Sequence, residues 1–255
     1  MKPIVIKVGG GALAGGALED LPDLLSAGHR VAIVHGGGVQ LTRMLDALGI
    51  PTRFHAGLRV TDEKALEVAE IVLAGGVNRT LARGLNAIGV QSAGISGTDG
   101  PTLLVEPVPD LGRVGKVVRV EPHLVETLWA GGFVPVVAPL GLGPEGAYNV
   151  NADMAAAALA IGLGAGNLFL LTDVDGLLED GETVETLAPD ECEGYVRSGL
   201  AAGGMVPKLR GAAEAARGGV EARIINGNKK GALAAAIAGE QVGTLISEGV
   251  AACKQ

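Results

Sequence analysis

Two short apolar runs, each ending in three glycines, constrain this chain more than any other feature. Ile4-Val5-Ile6-Lys7-Val8 leads into Gly9-Gly10-Gly11, and Val31-Ala32-Ile33-Val34-His35 leads into Gly36-Gly37-Gly38. β-Branched and apolar residues bounded by glycine read as buried strands. Glycine lets the backbone turn tightly and come close to a ligand. Two such strands side by side therefore suggest two backbone cradles. Lys7 is the residue out of keeping. An ammonium group inside an apolar run is costly unless it meets an anion. The first expectation is a site for an anionic ligand, with Lys7 pointing into it.

The rest of the chain alternates in the same way. Strands are expected near residues 90–95, 133–138, 167–171, 221–225 and 244–246. Helical periodicity is expected at 17–27, 39–48, 62–86, 122–130, 152–163, 190–200 and 232–238, with a further helix ending at Arg217. Residues 103–105 and 114–120 read as a hairpin, and 139–148 as a long loop. Alternating strands and helices imply a mostly parallel sheet covered on both faces, with ligands at the carboxyl ends of its strands. The 39–48 helix starts directly on Gly36-Gly38, so its positive N-terminus faces that cradle.

Composition removes several function classes. Aromatic residues make up 2% of the 255, and the net charge is -8, so a nucleic-acid surface is not expected. Cys192 and Cys253 form neither a disulfide framework nor a zinc site and read as ordinary thiols of a cytoplasmic protein. No signal-peptide core and no apolar run long enough for a bilayer is present, so no membrane partner is expected.

Gly9-x-Gly11-x-x-Ala14 satisfies the loose dinucleotide pattern. That pattern also wants an acidic residue at the end of the second strand, where this chain has His35. No Walker-type phosphate loop is present. Phosphoryl transfer fits better, because it needs positioned cations around the transferring group. Lys7 and Lys208 are candidate cations, and Asp153 could hold both. Each also has an ordinary explanation: a snorkelling strand-end lysine, a solvated helix start, a first-turn carboxylate.

Six motifs in order resolve the choice. They are Lys7-Val8-Gly9-Gly10, His35-Gly36-Gly37-Gly38, Gly57-Leu58-Arg59-Val60-Thr61, Asn149-Val150-Asn151-Ala152-Asp153, Thr172-Asp173-Val174-Asp175-Gly176 and Gly204-Met205-Val206-Pro207-Lys208. Over nearly its whole length the chain resembles the amino acid kinase family, and within it the N-acetylglutamate kinases. The resemblance implies a three-layer α/β/α sandwich around a mostly parallel open sheet, in two lobes. Residues 1–164 would bind the acyl amino acid and dimerise; residues 165–255 would bind ATP. It implies that Lys7 and Lys208 stabilise the transferring phosphoryl group and that Asp153 orients them. Gly37 and Gly38, with Arg59 and Asn149, would bind N-acetyl-L-glutamate. Gly9, Gly10, Asp173, Val174, Asp175, Gly176, Leu177, Leu178, Leu200, Ala201 and Ala202 would lie along the nucleotide. Pro207 departs from the aliphatic residue expected there and lacks a backbone donor beside Lys208.

The chemistry is consistent with that resemblance. Arg59 suits a bidentate carboxylate clamp. The nucleophile, the substrate's γ-carboxylate, is already ionised at neutral pH, so no general base is required. No protein metal site is expected, and Mg²⁺ would arrive on ATP. Three rivals stand beside this reading. One is a related kinase acting on carrier-protein-linked aminoadipate, disfavoured by the intact 57–61 motif. Another is a non-catalytic nucleotide-binding regulator, disfavoured by the two lysines and Asp153. The third is a Rossmann dehydrogenase. The 62–86 segment is too apolar for a monomer's surface and is expected to form a two-fold dimer interface. The family's arginine-inhibited hexamers carry an extra N-terminal helix. With three residues before the first strand, a dimer insensitive to arginine is expected.

Overall fold

The computed structural model describes residues 1–9 and 16–249. Its centre is an eight-stranded sheet. The strands lie in the order Thr186–Leu187, Thr244–Ile246, Glu221–Asn226, Asn167–Thr172, Ile4–Val8, Val31–His35, Val134–Ala138, Ser92–Ser96. From Glu221–Asn226 to Ser92–Ser96 every pairing is parallel. Thr244–Ile246 runs antiparallel to Glu221–Asn226, and Thr186–Leu187 pairs parallel with Thr244–Ile246 at the edge.

Ile4–Val8 is buried along its whole length, as a central parallel strand covered on both faces should be. Side chains alternate across it. Ile4, Ile6 and Val8 enter one core, with Leu21, Leu24, Leu81, Leu85 and Leu233. Val5 enters the other, beneath the alanine-rich helix Ala152–Gly162 and the helix Met205–Arg217. Lys7 shares the face of Val5 and so points at those two helices. The expected three-layer α/β/α sandwich is the observed architecture.

The sheet also places a crevice. From Ile4–Val8 the chain lays Val31–His35 on one side and later Asn167–Thr172 on the other. Where the sheet order runs outward in both directions from one strand, a cleft opens at that strand's carboxyl end. Lys7 sits at that end. The expected lobe boundary falls in the turn between Ala152–Gly162 and Asn167–Thr172, and the sheet continues across it.

Three expectations need correction. The 17–27 helix is a 3₁₀ turn, Gly16–Asp20, followed by a short α-helix, Leu21–Ser26, with Pro22 in its first turn. Residues 139–148 are no loop. Leu140–Gly143 and Gly146–Val150 pair with each other and, with Leu103–Pro107 and Val114–Val120, close a four-stranded barrel. Gly141 and Gly143 look like turn residues but are set by the narrow interior, where a Cβ would run into Val105 and Tyr148 respectively. The 62–86 helix is three pieces: α-helix Glu63–Ala69, π-helix Glu70–Val77 and α-helix Asn78–Ala87. Its cap is Asp62, whose Oδ1 accepts from the Ala65 N–H at 2.8 Å.

Candidate active site

Asp153 occupies the first turn of Ala152–Gly162. The Asn151 side-chain oxygen caps that helix, accepting from the N–H groups of Asp153 at 3.0 Å and Met154 at 3.2 Å. The cap fixes the turn that carries the carboxylate. Lys7 Nζ lies 2.8 Å from Asp153 Oδ1, and Lys208 Nζ lies 3.8 Å from the same oxygen. Lys7 and Asp153 are each 4% exposed. The Lys7 contact is short but poorly aligned for a hydrogen bond, so charge rather than direction holds it. Two ammonium groups on one buried carboxylate leave the mouth of the cleft net positive, which is what an incoming phosphoryl group requires.

Lys208 stands in the first turn of Met205–Arg217 and donates to the Gly204 carbonyl at 3.3 Å. Pro207 lies in that same turn, where backbone N–H groups have no helical partner, so its missing donor removes nothing. Burial lowers the Lys208 pKa from the ordinary lysine range. Asp153 opposes that shift, and the nearby Lys7 adds to it. Gly9 gives Lys7 room: a Cβ there would stand 2.6 Å from the ammonium nitrogen.

A cavity of about 300 Å³ adjoins this triad, lined by Lys7, Gly37, Gly38, Arg59, Asn149 and Asp153 among others. Arg59 is 8% exposed and held from three sides. Its guanidinium donates to the Gly38 carbonyl at 3.1 Å, Thr42 Oγ1 at 2.6 Å and Thr52 Oγ1 at 3.1 Å. Phe54 stacks beneath it, 4.7 Å from ring centre to guanidinium carbon. Among the described contacts two of its five N–H groups stay free for a ligand. Asn149 Nδ2 donates to Thr61 Oγ1 at 3.1 Å, and Thr61 donates in turn to the Arg59 carbonyl.

A second cavity, of about 610 Å³, opens at the ends of Asn167–Thr172 and Glu221–Asn226. Asp175 lines it, paired to Lys229 at 2.7 Å and accepting from Asn226 at 2.9 Å. Those two partners pull its carboxyl pKa down. Asp173 is near enough for its charge to act on Lys208. Val174, Leu178 and Leu200 are exposed at the surface, and so is Ala202. Gly176 is packed against Thr244. Leu177 and Ala201 have buried side chains in the core. Gly10 lies outside the described residues. Asn151 lines the first cavity and Asn226 and Lys229 the second, while Thr42 and Thr52 brace Arg59; none of the five was assigned a role from sequence. For Asn226 and Lys229 a signal exists, the polar run Asn226-Gly227-Asn228-Lys229-Lys230 after a buried strand.

Among the described residues no group of three His, Cys, Asp or Glu side chains could hold a metal ion. No helix among them is long and apolar enough to cross a membrane.

The amino acid kinase family pattern matches residues 2–226. This chain belongs to the amino acid kinase family. It is 72% identical over 248 residues to an acetylglutamate kinase of Rubrobacter xylanophilus, covering 97% of this chain and 98% of that one. The solved structure of smu.665 from Streptococcus mutans UA159 matches with a TM-score of 0.85 at 28% identity, over 96% of this chain and 98% of that one. An N-acetylglutamate synthase from Neisseria gonorrhoeae matches with a TM-score of 0.83 at 28% identity, over 98% of this chain and 60% of that one. This family fold thus occurs in chains with different named activities, so the activity must be argued from the site.

Proposed function

We propose that this enzyme transfers the γ-phosphoryl group of ATP to the γ-carboxylate of N-acetyl-L-glutamate, forming N-acetylglutamyl 5-phosphate for arginine biosynthesis. The observation that carries the reading is the pair of lysines on Asp153 at the cleft, in a chain 72% identical to an acetylglutamate kinase. A γ-carboxylate oxygen attacks the terminal phosphorus, the bond to the bridging oxygen breaks, and ADP leaves. The carboxylate is ionised at neutral pH, so no proton has to move. Catalysis is then positioning and charge stabilisation.

Lys7 and Lys208 meet the charge of the transferring group, and Asp153 holds them in place. The charge of Arg59 and its free N–H groups, on Nε and Nη1, meet the α-carboxylate, with Asn149 on the acetylamino group. Backbone N–H groups of Gly37 and Gly38 approach the acceptor. ATP lies across the ends of Asn167–Thr172 and Glu221–Asn226, beside Asp175 and Lys229, and brings Mg²⁺ on its phosphates. Residues 1–164 thus form the acceptor lobe and 165–255 the nucleotide lobe. We further place the enzyme in the cytoplasm as a homodimer. An ADP-release assay across N-acetyl-L-glutamate, glutamate and aminoadipate derivatives tests the reaction. N-acetyl-L-glutamate should be the productive acceptor, and turnover confined to another acid, or absent, rejects it.

A further inference from the structure

We propose that His35 and Asn78 are positioning residues that aim the Gly37 N–H at the phosphoryl acceptor; this rests on the reaction proposed above. His35 ends its strand and is 0% exposed. Val31 and Ile33 of that strand enter the core opposite the triad. Alternation puts His35 on that same face, away from Lys7, so it cannot reach the reacting atoms as a base. It acts through the backbone.

Asn78 is also 0% exposed and begins the helix that follows the π-helix. Its Nδ2 faces three acceptors: the Val136 carbonyl at 2.8 Å, His35 Nε2 at 3.1 Å and the Ile95 carbonyl at 3.2 Å. Only the NH₂ end of the amide can face two carbonyl oxygens, which fixes its orientation. His35 Nε2 is therefore the acceptor, and the ring proton sits on Nδ1. From there it is donated to the Gly36 carbonyl at 2.6 Å. Burial holds the imidazole pKa down at about 4, against the pull of that carbonyl, so the neutral ring persists at neutral pH.

The consequence follows from peptide geometry. In a planar trans peptide the carbonyl of one residue and the N–H of the next point in opposite directions. Holding the Gly36 oxygen toward His35 turns the Gly37 N–H toward the cleft, on the side of Lys7. The π-helix supports the same peptide from outside: a Cβ on Gly37 would stand 2.5 Å from Leu73 and 3.3 Å from Val77. π-Turns recur at functional sites because they rephase a helix. Here the rephasing sets Leu73 and Val77 on the cradle and Asn78 on His35. Asn78 Oδ1 stays buried without a partner among the described residues.

The test begins with the unmodified protein. Nitrogen-15 NMR of the His35 ring should show a protonated Nδ1 and a bare Nε2 at neutral pH. The opposite tautomer, or an imidazolium, overturns the proposal. His35→Leu removes the donor, whereas His35→Asn keeps one at the Nδ1 position. His35→Leu should lower kcat about 100-fold while KM for ATP stays within about twofold. His35→Asn should recover most of that loss. Unchanged kcat in folded His35→Leu, or equal losses in both variants, overturns the proposal. If His35→Leu does not fold, the tautomer decides. The two readings fail separately: an inactive unmodified enzyme removes the reaction, and a wrong tautomer removes the positioning role.

Discussion

Gly211 lies directly against the backbone of Asp153: a Cβ at position 211 would stand 2.9 Å from the Asp153 carbonyl oxygen. The helices Ala152–Gly162 and Met205–Arg217 can therefore approach closely at this point. That approach brings Lys208 to the carboxylate that holds Lys7.

Gly211→Ala should push the second helix outward. Overpacking of this kind typically costs about 1–3 kcal/mol. Alanine also favours a helix over glycine, by roughly 1 kcal/mol, which offsets part of that loss. The effect on kcat should exceed the effect on stability, because the Lys208 distance changes with the helix. Denaturant midpoints and kcat measured on the same sample check this. A variant with normal kcat would show that the helix contact does not set the triad.

In the proposed reaction Lys208 should set the pH dependence. Its charge would be needed in the transition state, and burial lowers its pKa below the ordinary lysine range. As pH rises through that lowered value the cation is lost, so kcat should fall at a lower pH than free lysine titrates. Asp153 is the group that opposes the shift. Asp153→Asn should therefore move the alkaline limb to still lower pH. Lys208→Ala should lower kcat by about 10²–10³ and remove the limb. A limb that stays put in Lys208→Ala would assign it to another group.

What the sequence revealed, and what it hid, follows from how each signal is carried. Lys7 was legible because a cation breaks an apolar strand pattern. Asp153 and Lys208 are ordinary helix-start residues one by one and became legible only as ordered motifs. The π-helix was hidden because Glu70–Val77 is almost continuously apolar, and a stripe that wide carries no phase. The barrel was hidden because Gly141, Gly143 and Gly146 look like turn residues. The His35–Asn78 contact spans 43 positions, and no sequence pattern marks the two as partners. Thr42 and Thr52 became visible only around Arg59.

Arg59 is braced by those threonines and by Phe54, so its guanidinium is presented in one orientation. Arg59→Lys keeps the charge and loses the planar, braced donors. KM for the acyl amino acid should rise by one to two orders of magnitude, about 1–3 kcal/mol for a lost charge-assisted bond. KM for ATP should stay near its original value. Thr42→Val should give a smaller shift in the same direction. A change confined to ATP would place Arg59 in the nucleotide site.

The π-helix also faces outward. Ile71 is 68% exposed and Met44 43%. Between them runs a groove of about 870 Å³ lined by Met44, Ala47, Ile71, Val72, Gly75 and Leu81 among others. An exposed apolar groove flanked by apolar side chains suits a partner's apolar surface. A second copy of the same chain can cover it by an isologous two-fold contact around Ile71. Light scattering should give twice the chain mass of 25.5 kDa. Ile71→Asp should shift the equilibrium to single chains. Because Leu73 and Val77 of the same π-helix press on Gly37, loss of the partner should also raise KM for the acyl amino acid before it affects ATP. A particle of one or six chain masses in the unmodified protein would contradict the two-fold assignment.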